Sequence, residues 1–186
     1  MSLSLVAAVA LGIVTWSFLE YVIHRWAGHD RRFSRNFFEI EHTAHHSRGH
    51  YFAPPWKKAL TALVAACILL IPGIAIGGIA HGSAWVLGTI GFYGTYEVLH
   101  RLEHVRGSQT AYGRWARRHH FYHHFHDPSV NHGVTSPIWD VVFGTRVKVD
   151  KVRVPAKLML PWLLDRDGQV RAEYADDYEI RRKKAA

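Results

Sequence analysis

Cysteine is almost missing: Cys67 stands alone among 186 residues. A disulfide framework is thereby excluded, and so is a zinc site built on thiolates. Charge is missing in long stretches too. No Lys or Arg precedes Arg25, and residues 59–80, ALTALVAACILLIPGIAIGGIA, carry no charged side chain. Low-complexity tracts are absent, so nothing reads as a disordered tail or linker. The length suits one domain, 1–186.

Set against these gaps are 15 histidines and a formal charge of +8. A basic balance fits nucleic acid or a membrane surface. The apolar runs decide between them, since about 20 apolar residues cross a bilayer. Leu3 to Ile23 is such a run, with Glu20 as its one charge. A signal peptide would want a basic start and a small-residue cleavage site. Here the run passes straight into EYVIHR, which reads as a retained helix. Residues 59–80 are a second run, kinked or made re-entrant by Pro72-Gly73. Residues 83–99 are a third, joined to the second through a turn at His81-Gly82. Gly88, Gly91 and Gly94 recur every third residue, so one face of that span can approach a neighbour closely.

The expected fold is therefore all-α and integral to the membrane. It has about three transmembrane helices, over 3–23, 59–80 and 83–99, with a helical cap made of 24–58 and 100–186. The loop 24–58 holds Arg25, Arg31, Arg32, Arg35, Arg48, Lys57 and Lys58, whereas the N-terminus and the His81-Gly82 turn hold no Lys or Arg. The positive-inside rule puts the cap in the cytoplasm. No basic helix with base-reading residues stands out, so nucleic acid is not an expected partner.

On that topology the histidines gather. HTAHH at 42–46 and HFYHH at 120–124 each offer imidazoles at i, i+3 and i+4, which share a helix face. HRLEH at 100–104 offers two more. His24 and His29 are five apart, a poor α-helical spacing, so the helix should end or loosen there, helped by Gly28. All ten fall at one predicted membrane face; His81 falls at the other and is set aside. Imidazole suits Zn, Cu, Fe and Ni. Ten ligands exceed one ion, so two ions with about five each are expected. A ligating imidazole is oriented through its second nitrogen, often by a carboxylate. Glu20, Glu41, Glu97 and Asp140 are the candidates for that role.

The strings EYVIHRWAGH, EHTAHH with APP, YEVLHRLEH, RHHFYHH and GVTSPIWDVVFGT resemble the fatty acid hydroxylase and sterol desaturase superfamily, from about Glu20 to Thr145. The last string is most similar to the fatty acid 2-hydroxylase branch. The resemblance implies a single fatty acid hydroxylase-like membrane domain with two iron ions. They would be held by His24, His29, His42, His45, His46, His100, His104, His120, His123 and His124, with zinc able to fill the sites on purification. It implies O2-dependent hydroxylation of a fatty acyl chain, with C-2 favoured. No haem-binding His-Pro-Gly-Gly occurs, so a separate donor of ferredoxin or cytochrome b5 type is expected. Where the resemblance leads one to expect an aromatic residue stands His132; His126 is an extra, and His119 competes with His120 for a ligand role.

Four alternatives stand beside this reading. A carotenoid ring hydroxylase and a sterol oxidase or desaturase share the histidine boxes. A metal transporter would want ionisable groups in mid-membrane, and a haem protein would want histidine pairs inside the spans. Trp56, Trp115, Phe121 and Trp139 are candidates for lining the acyl entry or the interface. Residues 156–165, AKLMLPWLLD, are expected on the membrane surface. PSVNHGVTSP is expected to cap the metal site, with a tight turn at Gly133. The ending KKAA is either an endoplasmic reticulum retrieval signal or a basic end in a bacterial protein, and the bacterial inner membrane is the favoured address.

Overall fold

In the computed structural model, which describes residues 2–181, the apolar runs and the histidine-rich segments separate into two units. One is Met1–Glu20 with Ala53–Val98; the other is Tyr21–Phe52 with Leu99–Ala186. The KKAA ending lies outside the described residues.

The first unit is built from two long helices. Helix α1, Leu3–Val22, has no charged residue before Glu20. Helix α3 runs over Pro55–Val105 with Pro72 inside it, and it is broken at Gly78 (φ 71, ψ 174). The break falls there, not at His81-Gly82 as the sequence suggests: His81 and Gly82 are helical, and only a residue without Cβ takes up that φ at no cost. A Cβ on Gly82 would lie 2.4 Å from the Gly73 carbonyl carbon, so the arms on either side of the break press backbone to backbone. Leu3, Ile71, Ile76 and Ile79 are exposed, Ile76 by 89 %. Long apolar helices with such faces belong in lipid, where helices pack through small residues. A Cβ on Gly12 would come within 2.2 Å of the Trp85 carbonyl oxygen, and one on Gly88 within 2.2 Å of the Val9 carbonyl oxygen. Only Gly88 of the glycine series makes this approach; Gly91 and Gly94 have nothing within 4 Å. Trp85 Nε1 donates to Thr15 Oγ1 at 2.9 Å, and Lys58 pairs with Glu97.

The second unit holds helix α2 (Phe37–Arg48), the end of α3, α4 (Ala111–Phe125), the short α5 (Ile138–Val142) and two strands, β1 (Val152–Pro155) and β2 (Tyr178–Arg181). The strands pair in parallel with Val152 opposite Tyr178, a small departure from an all-α fold. They sit in a core of Phe121, Phe125, Val152, Val154, Leu160, Trp162, Leu163, Tyr174 and Tyr178. Helix α4 therefore has two unlike faces, one apolar and one of imidazoles. Residues 156–165 do not present an apolar face outward: Leu160, Trp162 and Leu163 are buried in this core. Phe121 is buried there too, which removes it as an entry residue. The Arg117 guanidinium donates to the carbonyls of Leu102, Arg106 and Gly113, tying α4 to the last turn of α3.

The glycine contacts make a prediction. Gly88→Val should cost about 1–3 kcal/mol by overpacking the crossing, while Gly91→Ala should cost nothing measurable. Thermal unfolding of the detergent-solubilised chain by circular dichroism compares the two.

Candidate metal centre

Each histidine box is a helix with a defined start. Asn36 caps α2 by accepting from Glu39 N at 2.9 Å, and Gly49 (φ 66) ends it. Thr110 caps α4 by accepting from Gly113 N at 3.1 Å. After α1 the chain widens into a π-helical turn, Ile23–Gly28. A π-turn closes its backbone hydrogen bonds over five residues, not four, and His24 and His29 meet with ring centroids 5.3 Å apart. The awkward spacing is thus answered by loosening the helix. Gly28 has a further reason to be glycine: a Cβ there would lie 3.1 Å from the His42 ring.

The structure gathers the ten histidines into two groups, each with ligand nitrogens within 4.8 Å of one another. One is His24, His29, His42, His46 and His123; the other is His45, His100, His104, His120 and His124. The boxes do not act as triplets. In each, the i and i+4 imidazoles enter one group and the i+3 imidazole enters the other. Box α2 gives His42 and His46 to the first and His45 to the second, and α4 does the reverse. His46 and His124, one from each group, stack with centroids 3.9 Å apart and planes 3° from parallel.

Four of the imidazoles are oriented by main-chain carbonyls. His24 Nδ1 donates to His132 O at 2.5 Å, His123 Nδ1 to Val130 O at 2.8 Å, His45 Nδ1 to Tyr51 O at 2.6 Å and His104 Nδ1 to Gly49 O at 2.8 Å. Each bond fixes the tautomer and leaves the Nε2 lone pair facing inward. The candidate carboxylates have these surroundings. Glu97 pairs with Lys58, Glu41 accepts from the Tyr51 hydroxyl at 2.6 Å, and Glu20 is buried at the end of the first unit. Asp140 is fully buried and bonds His119 Nε2 at 3.2 Å, so it holds a histidine that belongs to neither group. His120, not His119, enters a group.

The donor set fits metal ions. His24 Nε2 and both nitrogens of His124 are buried with no hydrogen-bond partner among the described residues. His42 and His46 approach Nε2 to Nε2 at 3.0 Å, as do His104 and His120. Metal–nitrogen bonds of about 2.0–2.1 Å at right angles space nitrogens by about 3.0 Å. Burial, then neighbouring histidines, push His42, His120, His123 and His124 well below the ordinary imidazole range. His29 is lowered to about 4 by burial and then His132. Neutral imidazoles are the form a cation needs.

A helical chain with lipid-facing apolar arms and ten converging imidazoles is a membrane metalloprotein. The chain belongs to the fatty acid hydroxylase family, whose model matches residues 9–145. It is 30% identical over 144 residues to a dihydroceramide fatty acyl 2-hydroxylase of Arabidopsis thaliana, covering 74% of this chain and 59% of that one. It is 28% identical over 154 residues to a ceramide very long chain fatty acid hydroxylase of Schizosaccharomyces pombe, covering 73% and 41%. Over 145 residues it is 28% identical to the fatty acid 2-hydroxylase of Homo sapiens, covering 73% and 38%. The chain thus spans between 38 and 59% of the length of these relatives. A solved structure of scs7p, in which only the hydroxylase domain is visible, shares the fold with a TM-score of 0.59 at 24% identity, over 77% of this chain and 57% of that one.

Sequence reasoning did not find the carbonyls of Gly49, Tyr51, Val130 and His132, because a backbone acceptor leaves no mark in side-chain identity. The positions of glycine at 49 and 133 were the available signal. Metal analysis tests the grouping. His29→Ala and His120→Ala should each lower bound metal from about two ions per chain towards one, while His81→Ala should leave it unchanged.

Proposed function

We propose that the chain is an O2-dependent di-iron hydroxylase of lipids, acting on a fatty acyl chain with C-2 as the favoured position. The observation that carries the reading is the pair of buried five-imidazole groups with converging Nε2 atoms in a member of the fatty acid hydroxylase family. The relatives, a dihydroceramide fatty acyl 2-hydroxylase, a ceramide very long chain fatty acid hydroxylase and a fatty acid 2-hydroxylase, support the substrate class. His24, His29, His42, His46 and His123 would hold one ion and the other five histidines the second.

Iron supplies the redox capacity that no side chain has and zinc lacks: two electrons and two protons let O2 place one oxygen atom in a C–H bond and release the other as water. The chain's own part is to hold the ligands rigid and neutral, and to keep water away from them. His42, His104, His120 and His123 are all less than 9 % exposed. The electrons come from a separate ferredoxin or cytochrome b5 type donor. Three spans, over α1 and the two arms of α3, would anchor the chain, with the basic residues and the imidazole groups on the cytoplasmic side of a bacterial inner membrane.

Expression in a host without hydroxylated acyl chains tests this. Mass spectrometry of hydrolysed lipids should reveal a 2-hydroxy fatty acid only when the chain is present, and His45→Ala should reduce it at least about 100-fold. A hydroxylated carotenoid or sterol as the sole product would overturn the substrate assignment. Mössbauer spectra of anaerobically purified protein should show two coupled irons; a Soret band would mean haem instead.

A further inference from the structure

Both orienting carbonyls of the first histidine group come from one short loop. Val130 O serves His123 and His132 O serves His24. Between them lies Asn131, fully buried and at φ 56, a backbone state rare outside glycine. This loop is not part of a helix or strand, so something else must hold it. Asn131 N donates to Thr145 O at 2.9 Å, and Asn131 Oδ1 accepts from Val147 N at 2.7 Å. The Asp140 carboxylate takes the rest. It accepts from His132 N at 2.8 Å, Gly133 N at 2.8 Å, Thr145 Oγ1 at 2.8 Å and His119 Nε2 at 3.2 Å. A Cβ on Gly133 would lie 3.0 Å from Asp140 Oδ2 and 2.1 Å from Ser136 O, so glycine lets the loop close on that carboxylate.

The second group is held by other parts. Gly49 O serves His104 and Tyr51 O serves His45, from the loop that ends α2. Among the described residues the Asp140 carboxylate bonds only His119, His132, Gly133 and Thr145, none of them in that loop, where the Tyr51 hydroxyl donates to Glu41 instead.

We infer that Asp140 is a positioning residue for the first metal site alone, acting through the loop 130–133 and not on any ligand imidazole. The two sites then have separate supports and load separately. The inference rests on reading the histidine groups as metal sites. Loss of an outer partner of a ligand weakens metal binding by about 10–100-fold, and here the weakening should fall on one ion of the two.

Titration of the metal-stripped, detergent-solubilised full chain with Co(II), read by visible absorption and by equilibrium dialysis, tests it. Wild type should bind two ions. Asp140→Asn turns one acceptor oxygen into a donor, so one of the loop amides must lose its acceptor. It should keep one ion at wild-type affinity and bind the other at least tenfold more weakly. Glu41→Gln, which does not touch the loop, should leave the first site as it is. If Asp140→Asn fails to fold, Thr145→Val removes one bond to the same carboxylate and should show the same one-sided weakening in smaller degree. Two ions at unchanged affinity in these variants, or an equal weakening of both, would overturn the inference. A wild type that binds no cobalt would instead sink the metal-site reading on which it rests.

Discussion

Lone pairs pointed at one another repel, and the second unit is organised around making ten imidazoles do so. A single Nδ1–H···O=C bond accomplishes two things: it commits the tautomer and it aims Nε2. The carbonyls of Gly49, Tyr51, Val130 and His132 perform this for His104, His45, His123 and His24. Neutral amide oxygens add no net charge to the site. A cation held there would therefore keep its full charge against neutral donors, unlike one in a site lined with carboxylates. Each buried polar atom without a partner costs about 1–3 kcal/mol. A fold that accepts this cost at His24 and His124 gains it back when a cation arrives, which is how metal affinity and folding become one quantity.

The division of each box follows from helix geometry. Residues i and i+4 lie nearly in line along the axis, whereas i+3 is rotated to the other side of that line. Two helices that face each other with HxxHH can thus each straddle the boundary between the two histidine groups. Neither site can assemble from one helix, and neither helix can shift without disturbing both sites. The stacked His46 and His124 rings mark that boundary. The π-turn supplies what an α-helix cannot, two imidazoles five residues apart on one side.

Much of this was legible. Apolar runs named the helices, and the histidine spacings named the side chains that converge. The illegible parts have physical reasons. An apolar string such as residues 156–165 looks the same whether lipid or a protein core covers it; only the partners Phe121, Tyr174 and Tyr178 decide. The helix break could have fallen at Gly73, Gly77, Gly78 or Gly82, and the choice of Gly78 belongs to the packing of the two arms. Asp140, read as a direct partner of a ligand, holds a loop and His119 instead. A carboxylate near a histidine cluster in sequence says nothing of which donor it meets.

The segment beyond residue 145 lies outside the family match, yet the geometry of α4 explains why something must stand there. A helix whose inner face is imidazole gains little hydrophobic stabilisation from that face, since burying polar rings is unfavourable until they are bound. Its position must be secured from behind. Phe121 and Phe125 lie on the opposite face, each contributing about 1.5–3 kcal/mol on full burial, and β1, β2, Trp162 and Leu163 provide the cover. Arg114 and Arg118 add a charged clamp by pairing with Asp177, which is itself buried. Trp162 reaches across to donate to the Glu103 carbonyl at 3.2 Å, one residue before His104 of the second group. The apolar back of α4 and the end of α3 are thereby fixed to one another, and Phe121 carries that packing up to the imidazoles, its ring centroid 5.0 Å from that of His104. Rigid ligand placement then comes from hydrophobic packing on one side of the helix, and chemistry is left free to occupy the other.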